Sequence, residues 1–192
     1  MNDERHRVYP ASRAGSLDSR LRRLLFPPEK VLDGYIRPGD VVLDVGCGPG
    51  FFTLAMARMV GDAGEVIAVD LQEEMIRILR EKATQEGLIS RIRTHHAEPG
   101  SLGLIDPGRI RFALAFYVVH EVPDRARLFQ ELATLLALGG RLLVVEPKFI
   151  VSPQLFQEEL NTAQKAGFRS IDTPRIIFSR TVLLQKEDAG VS

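Results

Sequence analysis

At 192 residues and 45% hydrophobic content, the chain has the size of one ordinary domain and can bury a sizeable core. Its 25 basic and 25 acidic residues cancel to a formal net charge of +0, so no global field draws it to nucleic acid or to an acidic lipid surface. One cysteine, Cys47, excludes an internal disulfide framework and a Cys-rich zinc site; no apolar run reaches the roughly eighteen residues of a membrane span, and the charged start MNDERHRVYP does not read as a secretory signal, so a soluble cytoplasmic protein is the expectation.

Residues 1–28 form an Arg-rich arm, with Arg5, Arg7, Arg13, Arg20, Arg22 and Arg23, that ends in FPPE. It reads as a solvated arm or as a flap that orders over a bound ligand. PEKVLDGYI (28–36) has helical apolar spacing, and RPGD turns the chain into the first strand. VVLDVG (41–46) is a continuous apolar, β-branched run of the kind buried in parallel sheets. FFTLAMARMV (51–60) predicts a helix and EVIAVD (65–70) a second strand. In EEMIRILREKATQEG (73–87), Met75, Ile76, Leu79 and Ala83 share one helical face and Gly87 is the stop. IRTHHA (92–97) is a third strand, less apolar and nearer an edge; IRFALAF (110–116) is a fourth. RARLFQELATLLALGG (125–140) predicts a helix that ends in glycine, followed by a fifth strand, RLLVVEP (141–147). SPQLFQEELNTAQKAG (152–167) opens with a Ser cap and Pro at its first position. The stretch 168–186 gives two strands with a short break, an antiparallel pair. The alternation predicts an α/β fold, a doubly wound, Rossmann-like three-layer αβα sandwich on a mostly parallel sheet.

The first strand runs into LDVGCGPGFFT (43–53). Glycines at the carboxyl end of such a strand allow unusual backbone angles and close ligand approach, and the next helix offers unpaired amides. Gly46, Gly48 and Gly50 give G-x-G-x-G, and Phe51 stands where a dinucleotide turn has its third glycine. Asp44 would repel a pyrophosphate and suits a ligand with a cationic group. Asp70 ends the second strand, roughly 20 residues on, where a carboxylate can accept from both hydroxyls of a ribose; an ordinary helix-capping aspartate is the competing reading.

VLDVGCGPGFFTLAMA, VIAVDLQEEMI, FALAFYVVHEVPD and LLALGGRLLVVEP together resemble the class I S-adenosylmethionine-dependent methyltransferases, and among them the small-molecule group of the ubiquinone/menaquinone-biosynthesis type. The resemblance spans about residues 30–186. It implies a seven-stranded sheet with an antiparallel last strand, a methyltransferase domain at 29–187 between the arm and a tail at 188–192, and S-adenosyl-L-methionine as cofactor, released as S-adenosyl-L-homocysteine. It places Asp44, Gly46, Cys47, Gly48 and Gly50 around the methionine end. Asp70 goes on the ribose, Leu71 against adenine with Met75 nearby, His96, Ala97 and Glu98 at the adenine amino group, and Phe116 at the sulfonium. The family usually has an acid where His96 stands, and often one where Arg111 stands, so Arg111 takes no role.

His120, Glu121 and Tyr117 follow the fourth strand and are the candidate catalytic residues. A histidine there can act as general base or can be a bonded packing residue. His95 and His96 point to opposite faces of a strand and cannot chelate one metal together, and no metal is expected. Cys47 reads as a small packing residue of the turn. The chemistry implied is in-line displacement at a methyl carbon, which needs alignment and exclusion of water more than a strong base. The implied partner is a small-molecule acceptor; nucleic acid and membrane insertion are disfavoured, and residues 1–30 or a second copy in a homodimer could close the site. The short insert KFIVS presents Phe149, Ile150 and Val151 as pocket lining or packing surface. Three other readings are a cofactor-binding protein without catalysis, a nucleic-acid methyltransferase and a nicotinamide oxidoreductase.

Overall fold

A computed structural model describes residues 20–105 and 109–187. Most of the Arg-rich arm (1–19) and the tail (188–192) lie outside the described residues. Seven strands alternate with helices and form one sheet in the order β3-β2-β1-β4-β5-β7-β6. The chain divides into two compact units, which meet the sequence at residue 100.

In the N-terminal unit, α1 (Arg20–Leu25) and α2 (Pro28–Val31) precede β1 (Val41–Val45), α3 (Thr53–Val60), β2 (Glu65–Asp70), α4 (Glu73–Gln85), a 3-10 turn (Ile89–Arg91) and β3 (Ile92–His96). The helical spacing of 28–36 yields a single turn, because Leu32 caps α2 by donating its N–H to Pro28 O. Strands β1, β2 and β3 pair in parallel, with Asp44 opposite Ala68 and Asp70 opposite His96. β1 and β2 are buried almost throughout, as their unbroken apolar runs require. α4 buries Met75, Ile76, Leu79 and Ala83, the face expected, while Arg77 bonds Glu74 and Glu81 on the solvent side.

The C-terminal unit contains β4 (Ile110–Phe116), a 3-10 turn (Val119–Glu121), α5 (Arg125–Leu135), β5 (Leu136–Pro147), α6 (Pro153–Lys165), β6 (Phe168–Asp172) and β7 (Ser179–Lys186). β4 and β5 are parallel; β7 runs antiparallel to both β5 and β6. The expected helix over 125–140 is five residues too long. Leu136 is already extended and pairs with Ile110, and the chain then kinks before Arg141 meets Phe112. Gly139 turns there at φ +72°, and a Cβ on Gly140 would sit 2.7 Å from Ala137 O. α6 begins as predicted, with Ser152 accepting the Leu155 N–H at 3.1 Å and Pro153 at the first position. Phe129 and Phe168 meet edge-on, 6.4 Å apart, in this unit's core.

Candidate active site

The turn after β1 is exposed at one glycine and locked at another. Gly46 has φ +67° and is open to solvent, so bare backbone is offered at the strand's carboxyl end. Gly50 is glycine for packing: at φ +95° a Cβ would meet Leu79 Cδ1 at 2.5 Å. Cys47 donates its N–H to Val69 O at 2.9 Å and is buried. Burial pushes its thiol well above the ordinary range, as suits a packing residue and not a nucleophile.

Asp70 anchors this turn from β2. Its Oδ2 accepts the Gly48 N–H and its Oδ1 the Gln72 N–H, each at 2.8 Å. Gln72 is the N-cap residue of α4 and makes no side-chain cap of its own, so Asp70 ties the glycine turn to the entry of that helix. A carboxylate has about four acceptor directions, so these N–H groups leave room for a further donor such as a ribose hydroxyl. Asp44 is 3% exposed, and its Oδ2 accepts the Thr53 hydroxyl at 2.6 Å. Burial raises the Asp44 carboxyl to about 7 against that bond; the charge of Asp70 adds to the rise and that of Arg22 opposes it. Burial also raises Asp70, against the N–H groups of Gln72, Gly48 and Leu71. Two buried acids that disfavour each other's ionisation gain from an ammonium group and lose from a phosphate. The residues present therefore fit the amino-acid tail and ribose of S-adenosylmethionine.

Phe51, in the place of a third glycine, is buried edge-on to Phe52, with ring centroids 5.0 Å apart. The Arg22 guanidinium lies 4.5 Å above the Phe51 ring. Leu71 and Glu98 are exposed, and Ala97 is buried with its N–H on Asp70 O at 2.9 Å. His96 Nε2 lies 2.9 Å from Leu71 O. A carbonyl only accepts, so Nε2 carries the hydrogen and Nδ1 is left as the ring's acceptor. Met75 is 1% exposed and belongs to the core beneath α4, not to a ligand-facing surface.

In the C-terminal unit, β4 ends on buried Phe116, whose ring centroid is 4.4 Å from that of Tyr117. Tyr117 holds φ +61°, the left-handed region that bulky residues seldom occupy. Its N–H bonds Val145 O at 2.7 Å and its hydroxyl bonds Ser179 Oγ at 2.7 Å. The Ser179 hydroxyl donates to Ile177 O at 3.0 Å, so Tyr117 is the donor of the pair.

His120 sits in the 3-10 turn, opened on its far side by α5, whose N-cap Asp124 accepts the Arg127 N–H at 2.9 Å. His120 Nδ1 bonds the Glu146 carboxylate, which fixes the hydrogen on Nδ1 and leaves Nε2 to take a proton. Glu146 ends β5 fully buried, and its Oε1 also accepts the Val119 N–H at 3.0 Å. Burial pulls the imidazole's pKa down, but the hydrogen bond and charge of Glu146, with Glu121 and Glu159 adding, leave it raised. Glu121 Oε1 is 4.0 Å from Nε2. Arg125 donates Nε to Val119 O at 3.3 Å and Nη2 to His120 O at 3.4 Å, and its Nε is 3.5 Å from Glu159 Oε1. The sequence reading missed Thr53, Arg125, Glu146 and Glu159. An acid that closes an unbroken apolar strand just before proline was the available signal for Glu146. Among the described residues, no group of three or more His, Cys, Asp or Glu is placed to hold a metal ion, and no helix is long and apolar enough to cross a membrane.

A family profile described as "Methyltransferase domain" matches residues 42–140. The chain is 32% identical over 120 residues to a ubiquinone/menaquinone biosynthesis C-methyltransferase of Hydrogenovibrio crunogenus, covering 62% of this chain and 47% of that protein. It is 33% identical over 111 residues to the protein of the same name from Teredinibacter turnerae, covering 58% and 44%. The chain thus spans about half the length of the curated relatives it matches. A crystal structure of a SAM-dependent methyltransferase from Aquifex aeolicus superposes with TM-score 0.83 at 26% identity, over 93% of this chain and 99% of that one. The profile runs through the strands that carry Asp44, Asp70 and His120's turn, and with more than half of the sequence matched the chain belongs to the methyltransferase domain family, in its class I, S-adenosylmethionine-dependent branch.

Proposed function

We propose that the protein transfers a methyl group from S-adenosylmethionine to a small-molecule acceptor. The observation that carries this reading is the Asp44–Asp70 pair, two buried acids beside an exposed glycine, held by neutral donors. Asp44 and the Gly46–Gly48 backbone hold the amino-acid tail of the cofactor, Asp70 its ribose, and Leu71, His96, Ala97 and Glu98 its adenine. When bound, S-adenosylmethionine supplies a methyl group on a positively charged sulfur. The chain's own part is to orient and to take up a proton. In the C-terminal unit, Phe116 and Tyr117 are the residues that the family resemblance assigns to the reacting end, and Tyr117, its hydroxyl committed to Ser179, acts by position. His120 Nε2 accepts the proton that the acceptor gives up, with Glu146 holding the imidazole's tautomer and Glu121 beside Nε2.

The name of the matched relatives makes a ring carbon activated by a phenolic hydroxyl the acceptor to test first. Methylation of such a carbon forms a carbon–carbon bond and releases one proton, which is the demand that His120 meets. A cytoplasmic location belongs to the same proposal. Calorimetry with S-adenosylmethionine, S-adenosylhomocysteine and NAD tests it: the first two bind at micromolar levels and NAD does not. Preference for NAD overturns the assignment. Binding of both sulfur nucleosides without turnover on phenolic, amine or thiol acceptors leaves a non-catalytic binder.

A further inference from the structure

Helix α6 buries two residues, Ala163 and an acid, Glu159. Both Glu159 oxygens are closed to solvent, and neither has a hydrogen-bond donor. The opposite charge paired with it, Arg125 Nε at 3.5 Å, is already directed at the carbonyls of Val119 and His120. An acid so placed is costly to ionise unless it keeps its proton or a cation forms close by. His120 is a group that can become that cation.

The charges of the four groups His120, Glu146, Arg125 and Glu159 can be counted, with the partly exposed Glu121 at their edge adding its preference for a protonated imidazole. Arg125 is always positive. Glu146, bonded by the Val119 N–H and by His120 Nδ1, is negative, and these two charges cancel. With one proton shared between His120 Nε2 and Glu159, the remainder is neutral in both arrangements: imidazolium with carboxylate, or imidazole with carboxylic acid. Two protons leave one net positive charge in a buried site, and none leaves one net negative charge; both are disfavoured.

We propose that Glu159 is a positioning residue whose protonation is coupled to that of His120 through the charges of this cluster, so that the two groups hold one proton between them, and that this coupling sets the pH at which His120 Nε2 can accept a proton. The proposal rests on the reading of His120 as the proton acceptor. Protonation of Nε2 favours loss of the Glu159 proton, and protonation of Glu159 favours loss of the one on Nε2, so at equilibrium each N–H bond formed is matched by one O–H bond broken. The shifts of the two groups point the same way: burial and the charge of Glu146 push the Glu159 carboxyl to about 7, and His120 is raised towards it. The other charged groups that face the pair are Glu121 in the 3-10 turn, Glu158 beside Glu159 on α6, and Arg180 on β7. Arg180 stands opposite Glu146 and donates Nε to Val151 O at 2.8 Å.

The test is an NMR titration of the full chain labelled with carbon-13 and nitrogen-15 in His and Glu. In the wild type, the His120 ring and the Glu159 carboxyl each titrate in two shared steps. In Glu159→Gln the His120 titration collapses to one step, with its midpoint lower by about half a pH unit or more, because the anion that favours imidazolium is gone. Lys165→Gln, an exposed charge at the far end of the same helix, leaves the midpoint where it was. A Glu159→Gln midpoint equal to that of the wild type overturns the proposal. If that variant does not fold, a wild-type Glu159 carboxyl that titrates in one step at the ordinary range of about 4.3 overturns it equally. Coupled titration together with full methyl transfer by His120→Gln upholds the shared proton and removes His120 as the acceptor's base.

Discussion

Each unit of the protein buries a pair of acids, and the pairs are solvated in opposite ways. Asp44 and Asp70 in the N-terminal unit are held by a hydroxyl and by backbone N–H groups, all neutral, and the charge of Arg22 favours ionised Asp44. Glu146 and Glu159 in the C-terminal unit lie against His120 and Arg125, cations or cations in waiting. The donors bonded to the first pair are neutral, so it gains when a ligand brings a positive charge. The second brings its own and can trade protons without a ligand. One arrangement is suited to holding a cationic cofactor and the other to acid–base work.

The comparison can be broken most severely at Asp70. Asp70→Ala removes the diol acceptor and frees the Gly48 turn, so S-adenosylmethionine affinity falls by about a hundredfold or more in calorimetry. A loss of less than tenfold detaches the first pair from cofactor binding. In the second pair, His120→Gln lowers the methyl-transfer kcat by about a hundredfold with cofactor affinity unchanged. With His120 as the proposed base, wild-type activity rises with pH through an acid limb above the ordinary histidine value, because Glu146 strengthens the imidazole's hold on its proton.

Asp44→Asn sharpens the contrast because its two effects have opposite signs. The folded-state carboxyl of Asp44 sits at about 7, above its unfolded value of 3.8, so the folded state takes up its proton more readily. Stability is gained as pH falls from about 7 towards 4 and is lost as pH rises. At pH 8 the asparagine variant without cofactor is therefore more stable than the wild type, by on the order of 4 kcal/mol, and the two converge near pH 4. Cofactor affinity of the same variant falls about tenfold. Thermal melts at the two pH values, with and without cofactor, check both signs. The smallest effect is Ser152→Ala, which removes the cap of the helix that carries Glu159. It costs about 1 kcal/mol in denaturant unfolding and leaves the His120 titration in place.

The sequence made the first pair legible and left the second half hidden, for a physical reason. Asp44, Gly46 and Asp70 announce themselves through local order: an apolar strand, a glycine turn, a second strand with an acid at its end. His120 stood out as a histidine past a strand. Its carboxylate partner is 26 residues away at the end of another strand, and only the pairing of β4 with β5 brings it in. Glu159 looked like one more charge on an amphipathic helix, since the period does not say which charged position faces inwards. The same difference governs the fold. Met75, Ile76, Leu79 and Ala83 declared their face by spacing alone. The end of α5 did not, because Leu and Ala favour helix up to the glycines, whereas the bond that ends it at Leu136 is a tertiary pairing with Ile110.

The hydroxyl of Tyr117 reaches Ser179 across an intervening strand, from the end of β4 over β5 to the start of β7. It works as a crossbar on the rim of the sheet, and the unusual backbone angle at Tyr117 is what aims it. Three strand ends are thereby kept at a set spacing before any ligand arrives. On the proposed function, a rim whose spacing is decided during folding makes a change of acceptor preference easier to obtain from side chains hung around it than from bending the rim itself.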